Sequence, residues 1–392
     1  MKIHFLFFVT LSIFFTHSPN TFSQNNVFGK FEEYEKSGTA KKASRKLEAN
    51  DVAGALKILD KAIEQKEDLF EAYRKRSFIR RYYNDDIDGA ISDLNKAMEI
   101  KPDDVDLYIS RAFLKKRYKN DLNSALLDYQ IAQKYKPDST ILFSLIADLK
   151  SELKDFDGAI VEIKSALKII PEDIDFHVKL SNLLLQKNQP DKAIVFLQGF
   201  LDDYVKKANG KLHKVRGERV KKKIPSEFKD SSNVKNPIPV KRYSQMDFNV
   251  NSAKDYEKQL AEIERARSLS KAFIELGKMF ISKNEFDKAF ENLNTTLEID
   301  KNHEEAYGLR GIIYLSKGEF EKAIAEFSDA IDIADVPYFY LNRGIAYLAI
   351  ANDKKSQADF GDFLKLYPEG RAILEQRIAE IKQSKENLNK PK

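Results

Sequence analysis

Lys283-Asn284-Glu285-Phe286-Asp287-Lys288-Ala289 returns 34 residues later as Lys317-Gly318-Glu319-Phe320-Glu321-Lys322-Ala323, with cation, acid, Phe and Ala in the same order. A phrase that recurs at a period of this size marks a chain assembled from one repeated supersecondary unit. Each unit has an apolar face that only its neighbour can cover. The same Ala recurs in the N-terminal half as Ala55, Ala90, Ala125, Ala159 and Ala193, at intervals of 35, 35, 34 and 34 residues. There the phrase ahead of it reads Asp86-Ile87-Asp88-Gly89-Ala90-Ile91 and again Asp155-Phe156-Asp157-Gly158-Ala159-Ile160. Ser356 takes the slot 33 residues after Ala323.

Working outward, each of these small residues is followed four positions on by a large side chain: Leu59, Leu94, Tyr129, Ile163, Leu197, Leu293, Phe327 and Phe360. Three further come Ala62, Ala97, Ala132, Ala166, Phe200, Thr296, Ala330 and Phe363. Spacings of four and three share one face of a helix. Pro102, Pro137, Pro171 and Pro368 follow and stop that helix, because a proline lacks the amide donor that would continue it. A second apolar stripe precedes each Ala: Tyr307, Arg310, Gly311 and Tyr314 are matched by Tyr340, Arg343, Gly344 and Tyr347. The spacing therefore predicts two antiparallel helices per repeat. Small residues at Ser77, Ala112, Ala147, Gly277, Gly311 and Gly344 would let them approach closely.

This pattern resembles the tetratricopeptide repeat, with Tyr340, Gly344, Tyr347, Phe360 and Pro368 matching slot for slot and Ser356 standing where Ala is usual. The resemblance covers about residues 36–204 and 269–368. It implies an all-α fold, a solenoid of tandem helix-turn-helix units in two blocks, and the binding of partner polypeptides in the concave groove lined by the first helix of each repeat. It names no partner, since a fold hosts many functions.

The blocks follow from where the period fails. Ala193 to Ala289 is 96 residues, not a multiple of the period. Residues 206–242 hold thirteen Lys or Arg against three Asp or Glu, while the whole chain of 392 residues is only +5. With Pro225, Pro237, Pro239 and Ser231-Ser232-Asn233 among them, the reading is a basic, flexible insert or linker over 205–251. The expected N-terminal block is 37–204, about five repeats of which the first is degenerate. The expected C-terminal block is 252–385: a leading helix near Lys254–Arg267, about three repeats, and a cap helix around Gly370–Lys382. The insert could meet an anionic envelope surface or acidic partner. Nucleic acid is not expected, although Lys221 to Lys223 with Phe228, Tyr243 and Phe248 fit that chemistry loosely.

Lys2 followed by the apolar run Ile3–Phe15 and by Thr21-Phe22-Ser23 reads as a secretory signal over 1–23, cut before Gln24. The run is shorter than the ~20 residues a spanning helix needs, and the mature chain carries no other candidate. A signal ending before Gln, with a composition rich in Lys, Asn and Ile, resembles exported proteins of Bacteroidetes-type bacteria and predicts a periplasmic or secreted location.

Cys is absent and five His are scattered as His4, His17, His177, His213 and His303. That excludes disulfides and thiolate chemistry and leaves no paired metal ligands. There is no nucleophile elbow, phosphate loop or H-E-x-x-H, so no enzyme, cofactor or metal is expected. His177 sits in an aromatic slot and is read as core. The function expected is a non-catalytic scaffold. The alternative is an assembly component of the cell envelope that self-associates or bridges membrane proteins.

Slots facing the groove lie one after the aromatic position and one and four after the small position. In the first block they hold Arg74, Phe78, Arg81, Phe113, Lys116, Ser144, Asp148 and Asn182, a mixed and partly basic surface. In the second they hold Ile274, Lys278, Ile281, Ile312, Leu315, Leu341, Ile345 and Leu348, a mostly apolar strip. Such a strip marks either a contact site or a face covered internally, by the 254–267 helix, the C-terminal helix or tight superhelical winding.

Overall fold

The computed structural model describes residues 38–207 and 253–388. Within them are seventeen α-helices, one 3₁₀ turn and no strand. The helices run α1 (Gly38–Glu48), α2 (Val52–Glu64), α3 (Leu69–Tyr83), α4 (Ile87–Ile100), α5 (Val105–Lys119), α6 (Leu122–Tyr135), α7 (Thr140–Glu152), α8 (Phe156–Ile169) and α9 (Ile174–Gln186). They continue as α10 (Pro190–Lys207), α11 (Ala253–Ser282), α12 (Phe286–Ile299), α13 (Glu304–Lys317), α14 (Phe320–Ile333), α15 (Pro337–Ala349), α16 (Asp353–Leu366) and, after the turn Pro368–Gly370, α17 (Arg371–Leu388). The all-α expectation holds, as does the pairing of consecutive helices into hairpins.

The recurring phrases have local causes. Asp51, Asp86, Asp121 and Asp155 each stand just ahead of a hairpin's second helix, and their carboxylates accept from the amides of Gly54 (2.8 Å), Gly89 (2.9 Å), Ser124 (3.1 Å) and Gly158 (2.9 Å). An Asp cap satisfies an amide that the helix itself leaves without an acceptor. The residue before the cap region turns the chain in the left-handed conformation, at Asn50, Asp85, Asn120, Lys154, Asn188, Asn284, Gly318 and Ala351, with φ between 51° and 74°. Asn and Gly tolerate that conformation best.

Packing explains the small slots. Ala55, Ala90, Ala125, Ala159, Ala193, Ala289 and Ala323 are fully buried. A Cβ on Gly311 would lie 2.8 Å from the Phe327 ring, and one on Gly344 2.6 Å from Phe360, so in these hairpins a ring occupies the space a methyl would need.

Five of the hairpins also contain an ion pair with a buried or half-buried carboxylate, which the apolar periodicity conceals. Arg76 reaches Asp93 through two bonds of 2.9 and 2.6 Å, Arg111 reaches Asp128 at 3.0 and 2.6 Å, and Arg343 reaches Asp359 at 2.9 and 2.7 Å. Arg310 meets Glu326 at 2.5 Å in the same slots. Hairpin α7–α8 has Ile146 where the others have Arg, and Lys150 supplies the cation to Glu162 instead, at 2.7 Å.

The described residues divide into two compact units, 38–189 and 190–388. This departs from the expected block of 37–204. Helix α10 ends that block in the sequence reading, yet it packs on α11 within the second unit. The leading helix expected near 254–267 is continuous with the first helix of its repeat, giving the 30-residue α11. The signal region and residues 208–252 lie outside the described residues.

Candidate functional site

In the unit 38–189 the first helices of the repeats, α3, α5, α7 and α9, carry the groove slots. A small cleft, open to solvent on one side, lies between α3 and α5 against α4. Arg74, Phe78 and Arg81 line it from α3, with Asp106 and Ser110 opposite on α5. Three expected groove residues thus meet in one concavity. Phe113 is adjacent: the Arg81 guanidinium lies 4.3 Å from its ring centre and 4.3 Å from that of Tyr82. Phe78 stacks tilted on Tyr82 at 4.5 Å, and Phe113 meets Tyr118 edge-on at 6.4 Å. Tyr82 and Tyr118 are 47% and 46% exposed. The result is a half-buried arginine held between aromatic faces with two exposed tyrosines beside it. Sequence reasoning missed both tyrosines, because each falls at the end of its helix, outside the counted slots.

Much of the expected basic character is consumed internally. Arg74 pairs with Glu71 at 2.9 Å, and Lys116 on α5 pairs with Glu152 on α7. Asp148 accepts from Lys179 at 2.7 Å, and the same ammonium reaches the Ser144 hydroxyl at 2.6 Å. The Lys116 and Lys179 pairs tie one repeat to the next, whereas the Arg74 pair stays within α3. Asn182 is half-buried on α9.

The unit 190–388 corrects the expected apolar strip. Ile274, Ile281, Ile312, Leu341 and Ile345 are at most 2% exposed, and Lys278 is 5% exposed. They are core residues and offer no open groove. Burial works against the charge of Lys278, but Glu275 at 2.8 Å and Glu305 at 2.7 Å outweigh it and hold its pKa above the ordinary lysine value. Leu315 and Leu348 are half-buried and pack into a cluster formed by Leu341, Ile345, Phe360, Phe363 and Leu374. Leu374 belongs to α17, and Ile373, Ile378 and Ile381 of that helix join the same cluster. The C-terminal helix covers the distal part of the strip. The slots were counted correctly, but slot counting cannot tell a groove from a groove already filled.

His177 is buried as expected. Desolvation lowers its pKa, and Nδ1 donates to the Asp173 carbonyl oxygen at 2.8 Å. Among the described residues no three His, Asp or Glu gather where they could hold a metal, and no helix is long and apolar enough to cross a membrane. Of the basic stretch 206–242, only Lys206 and Lys207 are described, both exposed at the end of α10.

The tetratricopeptide repeat family profile matches residues 304–336, which are α13, α14 and the turn beyond. No curated protein matches the sequence. Solved structures similar to this chain include a tetratricopeptide repeat protein from Parabacteroides merdae, at 14% identity over 80% of this chain and 98% of that one, TM-score 0.47. The type IV pilus biogenesis factor PilW is similar at 14% identity over 67% and 94%, TM-score 0.43. YrrB, described as having an unusual peptide-binding site, is similar at 18% identity over 63% and 94%, TM-score 0.35.

Proposed function

We propose, on the premise that this chain is a protein of tetratricopeptide repeats, that it is an exported, non-catalytic scaffold holding a partner polypeptide on the concave face of its unit 38–189. The observation that carries this reading is the Arg81 cluster: a guanidinium between the Phe113 and Tyr82 rings, with a cleft on one side. Aromatic and arginine side chains are enriched among the residues that dominate protein recognition, and the rings bury large areas. Binding and positioning are all that such a surface provides.

Affinity capture from the native envelope with wild type and with Arg81→Glu/Tyr82→Ala tests the groove. The variant is expected to lose the partner that the wild type retains, at unchanged melting temperature. Equal recovery of the same partner by both would refute the groove. If the protein instead acts by self-association, sizing of the pure mature chain finds a concentration-dependent oligomer.

Export rests on Lys2, the apolar run to Phe15 and Thr21-Phe22-Ser23. The native protein should begin at or near Gln24, and N-terminal sequencing that finds Met1 would reject it. The basic 206–242 stretch adds a second contact, to an anionic surface or partner. Its signature is binding to anionic vesicles that weakens steeply with salt.

A further inference from the structure

Helix α17 does not continue the stack. Elsewhere, the first helix of a repeat packs on the second helix of the repeat before it, as α13 does on α12 and α15 on α14. Helix α17 follows the second helix α16, yet its main contacts are with α15 and the 3₁₀ turn. Its Ile373, Leu374, Ile378 and Ile381 sit with Leu341, Ile345 and Leu348 of α15 and with Phe360 and Phe363 of α16, and the cluster extends back to Leu315 of α13. Of these partners, Leu315, Leu341, Ile345 and Leu348 occupy groove slots. Helix α17 therefore lies along the concave face, where a bound helix would lie.

We propose that the concave face of α13 and α15 is a helix-binding groove, that α17 closes it as a ligand in cis, and that its partner in trans is an amphipathic helix with α17's own apolar spacing. That spacing is i, i+4, i+7, carried by Leu374, Ile378 and Ile381, the pattern by which helices are read in grooves. Three features make α17 exchangeable. Its hold is apolar: among the described residues, the side-chain hydrogen bonds of 371–383 stay within the helix, from Gln376 and Arg377 to Glu380. Among residues 371–383 of α17 only Leu374 is buried, at 6% exposed, the isoleucines being half-buried, whereas Leu341 and Ile345 beneath it are 2% exposed. The turn that launches it has a hold of its own, although Phe363 there also belongs to the cluster around Leu374. Tyr338, Phe363 and Tyr367 pack together at 5.9–6.1 Å around the turn that launches the helix, and Gly370 is buried against the Phe363 and Tyr367 rings. An element held on one side by few buried contacts opens locally at low cost.

The groove is distinct from the Arg81 site and is tested on separate variants. The probe is a fluorescent peptide of residues 371–388, titrated into the intact mature chain and into the same chain ending at Gly370. The shortened chain should bind saturably and roughly tenfold or more tighter than the intact chain, whose groove is occupied most of the time. A peptide with Ile378→Glu should not bind. The full-length variant Leu374→Glu/Ile378→Glu should open the groove without removing any chain, and should bind the wild-type peptide as the shortened chain does. In the intact wild type, amides of α17 should exchange with solvent well before those of α15. The proposal is overturned if the folded shortened chain fails to bind. It is equally overturned if both the truncation and the double variant unfold α15 and α16, making α17 a structural cap, or if α17 and α15 exchange together. A dimer of the intact chain that the truncation makes monomeric would seat α17 on a second copy and overturn the intramolecular form.

Discussion

Lys283, just past the end of α11, pairs with Asp191 in the first turn of α10, ninety-two residues earlier. The same pair recurs at three other junctions between successive repeats: Lys317 with Asp287 at 3.1 Å, Lys119 with Asp88 at 2.6 Å, and Lys187 with Asp157. The pair is exposed and adds little energy, but it fixes register. Helix α11 sits on α10 as the next repeat sits on the last. The helices on either side of residues 208–252, α10 and α11, belong to one compact unit.

A cut inside that stretch is therefore not expected to release two halves. With a site-specific protease sequence placed between 208 and 252, the cleaved pieces should co-elute on gel filtration under native conditions, held by α10 on α11. Separation of the pieces would mean that this packing does not outlast the covalent link.

The buried pairs inside hairpins should behave unlike the exposed pairs between them. Asp128 is 2% exposed and accepts from both Arg111 and Lys115. Asp128→Ala leaves two cations uncompensated and should cost about 3–5 kcal/mol, read from urea denaturation of the unit 38–189. Lys119→Ala removes a pair whose members are 39% and 81% exposed, and should change stability by no more than about 0.5 kcal/mol. Similar costs for the two would contradict the assignment.

Ala351 turns the chain at φ 58°, in the slot where Gly318 turns it at φ 74°. A Cβ is strained there and absent in glycine. Ala351→Gly should stabilise the unit 190–388 by about 1 kcal/mol, seen as a raised denaturation midpoint at unchanged slope. A lower midpoint would show that the turn carries no strain.

Burial holds the His177 pKa below its ordinary value. Because the folded value lies below the unfolded one, the stability gained from the neutral ring is fully present above about pH 6.5. It is lost as pH falls through the folded pKa. The urea midpoint of the unit 38–189 should drop between pH 7.5 and 5, and His177→Phe should flatten that drop. Asp104 and Asp173, both raised by burial, act in the opposite sense at lower pH, so the difference between the two proteins isolates the histidine. Parallel profiles would remove His177 from the acid response.

The sequence by itself determined the repeating unit, the number of hairpins and the residues of their interior. Those depend on helical spacing, on an Ala every 34 or 35 residues, and on prolines that end helices, all local and countable. It also singled out Phe78 and Arg81, which line one cleft, and Phe113, whose ring lies beside Arg81. It did not disclose the ion pairs, since Arg111 and Asp128 lie 17 residues apart on different helices and look like ordinary surface charges. Nor did it disclose which repeats share a unit across 208–252, because a broken period looks the same whether the chain changes domain or makes an excursion and returns. Only the tertiary structure decided that Arg81 stands between two rings and that Leu341 and Ile345 are core. A periodic pattern fixes which way a side chain points from its helix. Whether it then meets water or another helix depends on the path of distant chain, and for the second groove that chain is α17.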